Sequence, residues 1–146
     1  MGKRKENPPR AFESMGGKTF INPRGKNQTD TFARVYTSML LSPAYQSLNF
    51  RQRHLYTCMK DQFFGKRKPC KDYEKQGLYQ DNKDEYFYFN WQLALDYGLY
   101  TPKSNSNFYK DVDVLIQHGF IEKVKSGQGH KTKNVYRYSD QWKKWK

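Results

Sequence analysis

Two stretches decide the architecture: Tyr86-Phe87-Tyr88-Phe89-Asn90-Trp91-Gln92-Leu93-Ala94-Leu95-Asp96-Tyr97-Gly98-Leu99, and Phe108-Tyr109-Lys110-Asp111-Val112-Asp113-Val114-Leu115-Ile116-Gln117-His118-Gly119-Phe120-Ile121. The aromatic run at 86–89 reads as a short buried strand, because such residues pack well on a pleated surface. Asn90 is a good N-cap, since its side-chain oxygen can accept from a first-turn amide, and Leu93, Ala94 and Tyr97 then form the inward face of a helix that Gly98 ends. Tyr100-Thr101-Pro102-Lys103-Ser104-Asn105-Ser106-Asn107 supplies turn and capping residues. Beyond it Phe108, Val112, Leu115 and Ile116 recur at i, i+4, i+7 and i+8, which predicts an amphipathic helix over about Ser106–His118, closed by Gly119.

Outward from this centre, Phe120–Lys125 and Asn134–Tyr138 are strand-like runs. The basic loop between them, Ser126-Gly127-Gln128-Gly129-His130-Lys131-Thr132, makes the pair a β-hairpin with a charged tip. Upstream, Leu55, Tyr56, Met59 and Phe63 share one face of a long helix that starts near Asn49 and ends at Gly65. Phe32-Ala33-Arg34-Val35-Tyr36 alternates as a short strand would, while Ser38-Met39-Leu40-Leu41 could begin a helical turn; Ser42-Pro43 stops either element. Residues 65–83 form a polar connector opened by Gly65-Lys66-Arg67-Lys68-Pro69-Cys70-Lys71, and residues 1–31, with no sustained apolar period, form a mobile basic tail. The expected organisation is thus a tail over 1–31 and one domain over 32–146.

Helix, short strand, helix, turn, helix, hairpin is the order of a winged helix-turn-helix, an α+β fold with a C-terminal β-hairpin wing. Leu93-Ala94 through Gly98-Leu99, then Phe108-x-x-x-Val112-x-x-Leu115, then His118-Gly119-Phe120-Ile121, resemble the winged-helix pattern in which one helix ends in Gly-Leu and the recognition helix ends in Gly-Phe-Ile. Phe32-x-x-Val35-Tyr36, Ser42-Pro43-Ala44-Tyr45-Gln46-Ser47-Leu48 and Arg53-His54-Leu55-Tyr56 resemble the opening of winged-helix proteins carried by Gram-positive plasmids, phages and conjugative elements. The resemblance covers about Thr31 to Tyr138 and departs from the pattern in a long loop before the recognition helix and an enlarged connector. It implies double-stranded DNA binding in replication, conjugative transfer or transcriptional regulation of a mobile element, with a homodimer or a replication or transfer protein as a further partner.

Charge supports an acidic partner. Lys and Arg number 27 against 14 Asp and Glu in 146 residues, a formal net charge of +13. Residues 84–122 carry only Lys103 and Lys110 against six acids, whereas residues 123–146 carry eight basic side chains against Asp140 alone. A recognition helix reads base edges from its N-terminal half, where Asn pairs bidentately with adenine and Lys with guanine. The candidates are Lys103, Ser104, Asn105, Ser106, Asn107, Tyr109 and Lys110, with Asp111 and Asp113 expected to turn away from the groove. On the wing, Lys123, Lys125, His130, Lys131, Lys133 and Arg137 are candidates for phosphate or minor-groove contact. A protein-interaction or RNA-binding module using the same basic surface is the alternative.

Aromatic residues make up 17% of the chain. Phe87, Phe89, Phe108, Tyr136 and Tyr138 are assigned to the core rather than to base stacking, because a small domain needs them there. Trp142 and Trp145 either cover the first helix or mark a partner-binding end. His54, His118 and His130 have no acid or nucleophile at a catalytic spacing, no phosphate-loop or zinc-helix motif occurs, and Cys58 and Cys70 stand alone. The expectation is a non-enzymatic, cytoplasmic protein with no cofactor, no metal and no membrane partner.

Overall fold

A computed structural model describes residues 10–64, 69, 85–125 and 134–146. The chain divides into two compact units that part between Thr31 and Phe32.

In the first unit, β1 (Thr19–Ile21) and β2 (Asn27–Thr29) pair antiparallel, with Phe20 opposite Gln28. This hairpin replaces the irregular chain expected for that part of the tail. Its turn is built by Asn22, whose Oδ1 accepts from the amides of Arg24 and Lys26 at 3.0 Å each. Gly25 supplies the left-handed residue at φ 75°. Three-residue strands that bury almost nothing leave no apolar periodicity to detect.

The second unit is α+β. Residues 32–36 form no strand, and the ambiguity there resolves as a helical turn, α1 (Thr37–Leu40), followed by α2 (Pro43–Gln46). Ser42 separates the two by capping: its Oγ accepts from the Tyr45 amide at 3.2 Å, and Pro43 opens α2 where no backbone donor is needed. The long helix α3 (Phe50–Asp61) begins at a reciprocal capping box, in which Asn49 and Gln52 each bond the other's backbone amide. Leu55, Tyr56 and Met59 point inward as their spacing predicts. A 3₁₀ turn over Gln62–Phe64 follows.

β3 (Tyr86–Tyr88), α4 (Trp91–Asp96), α5 (Asn105–Gln117), β4 (Ile121–Lys125) and β5 (Val135–Tyr138) complete the unit, with a last 3₁₀ turn over Gln141–Lys144. The sheet order is β3-β5-β4, all antiparallel, with Phe87 opposite Tyr136 and Ile121 opposite Tyr138. Asn90 caps α4 as expected, its Oδ1 accepting from the Leu93 amide at 2.9 Å.

The two glycine stops share one mechanism. Gly98 (φ 75°) and Gly119 (φ 82°) turn the chain left-handed, so that the next amide reaches back to an orphan carbonyl: Leu99 to Ala94 at 3.2 Å and Phe120 to Leu115 at 3.0 Å. Each stop thereby turns an apolar residue inward, Phe120 into the core cluster and Leu99 against it. Gly119 has a second duty, since a Cβ there would lie 2.6 Å from the backbone of Gln141 and Trp142. The C-terminal turn is laid directly against it.

One core cluster unites α1 to α5 with one face of the sheet, including Leu55, Met59, Phe87, Phe89, Phe108, Val112, Leu115, Phe120 and Tyr136. Phe87 stacks on Tyr138 at 4.3 Å, and Phe89 and Trp91 both flank Phe108. The aromatics assigned to the core are there, with Tyr138 half-buried. No helix among the described residues is long and apolar enough to cross a membrane.

Candidate nucleic-acid interface

Helix α5 has two chemically distinct faces. Phe108, Asp111, Val112 and Leu115, at i, i+3, i+4 and i+7, are buried. Asn105, Ser106, Tyr109, Lys110 and Asp113 are exposed, as is Lys103 in the preceding loop, and Asn107 is half-buried. Among the described residues none hydrogen-bonds the side chains of Asn105, Ser106 or Asn107, and none forms an ion pair with Lys103 or Lys110.

Ser104 is different. Its Oγ accepts from the Thr101 amide at 3.1 Å and donates to the Thr101 carbonyl at 3.0 Å, so its hydroxyl closes the 101–104 turn and does not cap the helix. The first-turn amides of α5 therefore carry no side-chain cap, and with the helix dipole they favour an anion.

Of the two carboxylates expected to turn away from the groove, Asp113 stays exposed on the side of Tyr109 and Lys110, and Asp111 turns away from it. It is only 2% exposed and turned inward, where it joins three elements. Arg51 at the start of α3 donates from Nε to Oδ2 at 2.6 Å and from Nη2 to Oδ1 at 3.3 Å. Gln52 Nε2 donates to Oδ1 at 3.1 Å, and the Tyr100 hydroxyl donates to Oδ2 at 2.7 Å. Burial alone would push the carboxyl up, but the bonds from Arg51, Tyr100 and Gln52 outweigh it and hold it below the usual carboxylate range. Burial and the bond to Asp111 drive the Tyr100 phenol upward, keeping it protonated as a donor. The hub fixes the first turns of α5 to α3 and to the loop before it. Its signal was in the sequence, because position 111 lies three residues after Phe108 on the apolar stripe.

The hairpin holds its cations less freely. Lys123 is exposed and Lys125 half-buried, with a bulge in the strand pairing between them. Arg137 is half-buried and donates from Nε to Glu85 Oε2 at 2.8 Å, with Glu122 opposite it on β4. His130, Lys131 and Lys133 lie outside the described residues, as does the connector except Pro69. The start of β5 borders the exposed face of α5: the Tyr136 phenol, pushed up mainly by burial, is further raised by Tyr109 and Asp113.

The remaining candidates serve the fold. Trp142 stacks on Phe120 at 6.0 Å and Trp145 on His118 at 4.5 Å, so both tryptophans cover the end of α5. His118 Nδ1 lies 2.9 Å from the Val114 carbonyl. Burial pushes the Cys58 thiol up to about 12, which leaves it inert as a nucleophile. Among the described residues no three His, Cys, Asp or Glu side chains are grouped to hold a metal. No family model, no curated protein and no solved structure matches this chain.

Proposed function

We propose that residues 32–146 form a winged helix that binds double-stranded DNA, with α5 in the major groove and the β4–β5 hairpin flanking it. The observation that carries this reading is the N-terminal half of α5. With Lys103 in the loop just before it, it presents amides, a hydroxyl, a phenol and Lys110, while Phe108, Val112 and Leu115 hold the opposite face in the core. Uncommitted Asn side chains on a rigid helix suit bidentate pairing with adenine, and Lys103 and Lys110 suit guanine or phosphate. The Asp111 hub supports the same surface by taking one carboxylate away from phosphate and fixing the helix start. The resemblance to plasmid, phage and conjugative-element proteins supports service to a mobile element, in replication, transfer or regulation of its genes.

The test is selection from a random duplex library at near-physiological salt with excess nonspecific competitor. One enriched motif is expected, and its symmetry would report whether one or two copies bind. Tight low-salt binding without enrichment would refute sequence reading.

A second reading, docking of a protein partner, is favoured by the exposed apolar side chains of Phe32, Tyr36 and Leu41 in one short segment. Salt separates the two. Duplex affinity falls steeply with salt as counterions are released, whereas an apolar protein contact is far less sensitive.

A further inference from the structure

The first unit has no core of its own. No residue from 10 to 31 is buried, and Phe12, Met15 and Ile21 are well exposed. A lone two-stranded hairpin is marginal in water, yet the turn of this one is fully built. Asn22 Oδ1 accepts from two amides, the Asn22 amide donates to the Lys26 carbonyl at 2.8 Å, and the Gly25 amide donates to the Asn22 carbonyl at 2.9 Å. A ribbon shaped this closely, with nothing packed on either face, suits a surface that it lies against.

Its charge says which surface. Residues 1–31 carry seven basic side chains against three acidic ones. On the ribbon, Lys18 and Lys26 are exposed and form no ion pair with a described residue, whereas Arg24 is exposed but already engaged. Asp30, whose amide donates to the Lys18 carbonyl at 2.9 Å, is half-buried and the one acid of the ribbon. Because Lys26 is bonded to Asn22, and side chains alternate along a strand, the two lysines share a face four strand positions apart, roughly 13 Å at about 3.3 Å per residue. The two backbones that border the major groove of a DNA duplex are about 12 Å apart.

Strand addition is the rival use of a free ribbon. Three-residue strands with a proline in the turn and a lysine at either end are the features that discourage it. The bonded pairs at Asn22/Lys26 and Lys18/Asp30 leave the amides of Thr19, Ile21, Asn27 and Thr29 pointing outward along the two edges, where phosphate oxygens can accept from them.

We propose that this ribbon is a second DNA-contacting element, lying across a major groove with Lys18 and Lys26 on the phosphates of its two borders. It adds affinity and no sequence preference, since phosphates carry none. The inference rests on the duplex-binding reading for its choice of partner, and not on base reading by α5.

Salt-dependent anisotropy of the full chain on a random-sequence duplex tests it, beside the α5 variant Lys103→Gln with Lys110→Gln. Lys18→Gln with Lys26→Gln should lower the salt slope by about two and weaken low-salt binding about tenfold or more, while the motif enriched from a duplex library stays the same. Asn22→Ala with Gly25→Val keeps every charge but removes what shapes the turn, and should lose the same contacts. Lys144→Gln, an exposed lysine of the C-terminal turn, should change nothing. A full slope in the Lys18/Lys26 variant, with the α5 variant losing its share, would overturn the ribbon and leave the α5 reading standing. The reverse result would support the ribbon and overturn the α5 reading. Wild-type binding by the turn variant, or an equal loss in Lys144→Gln, would show that bare charge suffices and overturn the inference. So would the same slope loss on an RNA duplex, whose major groove is too narrow to be spanned in this way. A wild-type chain that binds no duplex would overturn both readings.

Discussion

The start of α5 and the β4–β5 hairpin both look basic and both expose a lysine, Lys123 on the hairpin, yet the arginine of the hairpin holds its charge in the opposite way. Lys103 and Lys110 are exposed and unpaired among the described residues, with uncommitted amide side chains between them. On the hairpin, Arg137 is held by Glu85 and faces Glu122 across the strands, and Lys125 is half-buried. A count of lysines and arginines along the chain therefore overstates what a ligand can reach. What matters is which cations are already engaged, and that is decided by strand register and helix packing rather than by composition.

The largest effects should come from the supports of the α5 surface. Gly119→Ala places a methyl 2.6 Å from the backbone of the C-terminal turn at a left-handed residue, so about 2–4 kcal/mol of stability should be lost in urea unfolding. Trp142 and Trp145 fluorescence should shift with it, since the turn must lift. Asp111→Ala should cost about 2 kcal/mol, chiefly because the Tyr100 hydroxyl and Gln52 amide lose their acceptor. Arg51, with 42% of its side chain exposed, recovers water, so its ion pair contributes little of that loss.

Acid should act through the same hub. The Asp111 carboxyl is held below its unfolded value, so its contribution is fully present above the unfolded pKa and is lost as pH falls through the folded one. The wild-type chain should lose stability more steeply than Asp111→Asn in acid, below about pH 4. Equal slopes in urea titrations across that range would show that the hub does not favour the ionised carboxylate.

Smaller effects should separate the two basic regions on DNA. Asn107→Ala should cost about 1–3 kcal/mol on a preferred site and little on other sequences. Lys103→Ala and Lys110→Ala should weaken all duplexes similarly and each reduce the salt slope by about one. Arg137→Ala should change duplex affinity least, because its guanidinium is already committed to Glu85. An Arg137 effect as large as that of Lys110, measured by salt-dependent anisotropy, would erase the contrast between the regions.

Local signals carried most of the architecture. Asn49 and Asn90 cap the helices that follow them, Gly98 and Gly119 end helices, and the 3.6-residue spacing selects the inward faces of α3 and α5, whereas Ser42-Pro43, read only as a stop, also opens α2. What was not legible depends on distant partners. The pairing of β3 with β5 joins residues some fifty apart, and no spacing announces it. Helical spacing turned Asp111 away from the groove, but what receives it was not legible: only Arg51, sixty residues away, makes its burial tolerable. A cleft lined by Arg34, Tyr56, Lys60 and Trp142 was also invisible, since these residues come together only in three dimensions.

The most direct test repeats the random-duplex selection with a chain carrying Asn105→Ala and Asn107→Ala together. Both side chains lie outside the hub and the core, so the fold should survive. The account predicts that the wild-type motif disappears from the enriched pool while low-salt binding to any duplex persists. Enrichment of the same motif by both chains would contradict the claim that the N-terminal half of α5 reads DNA.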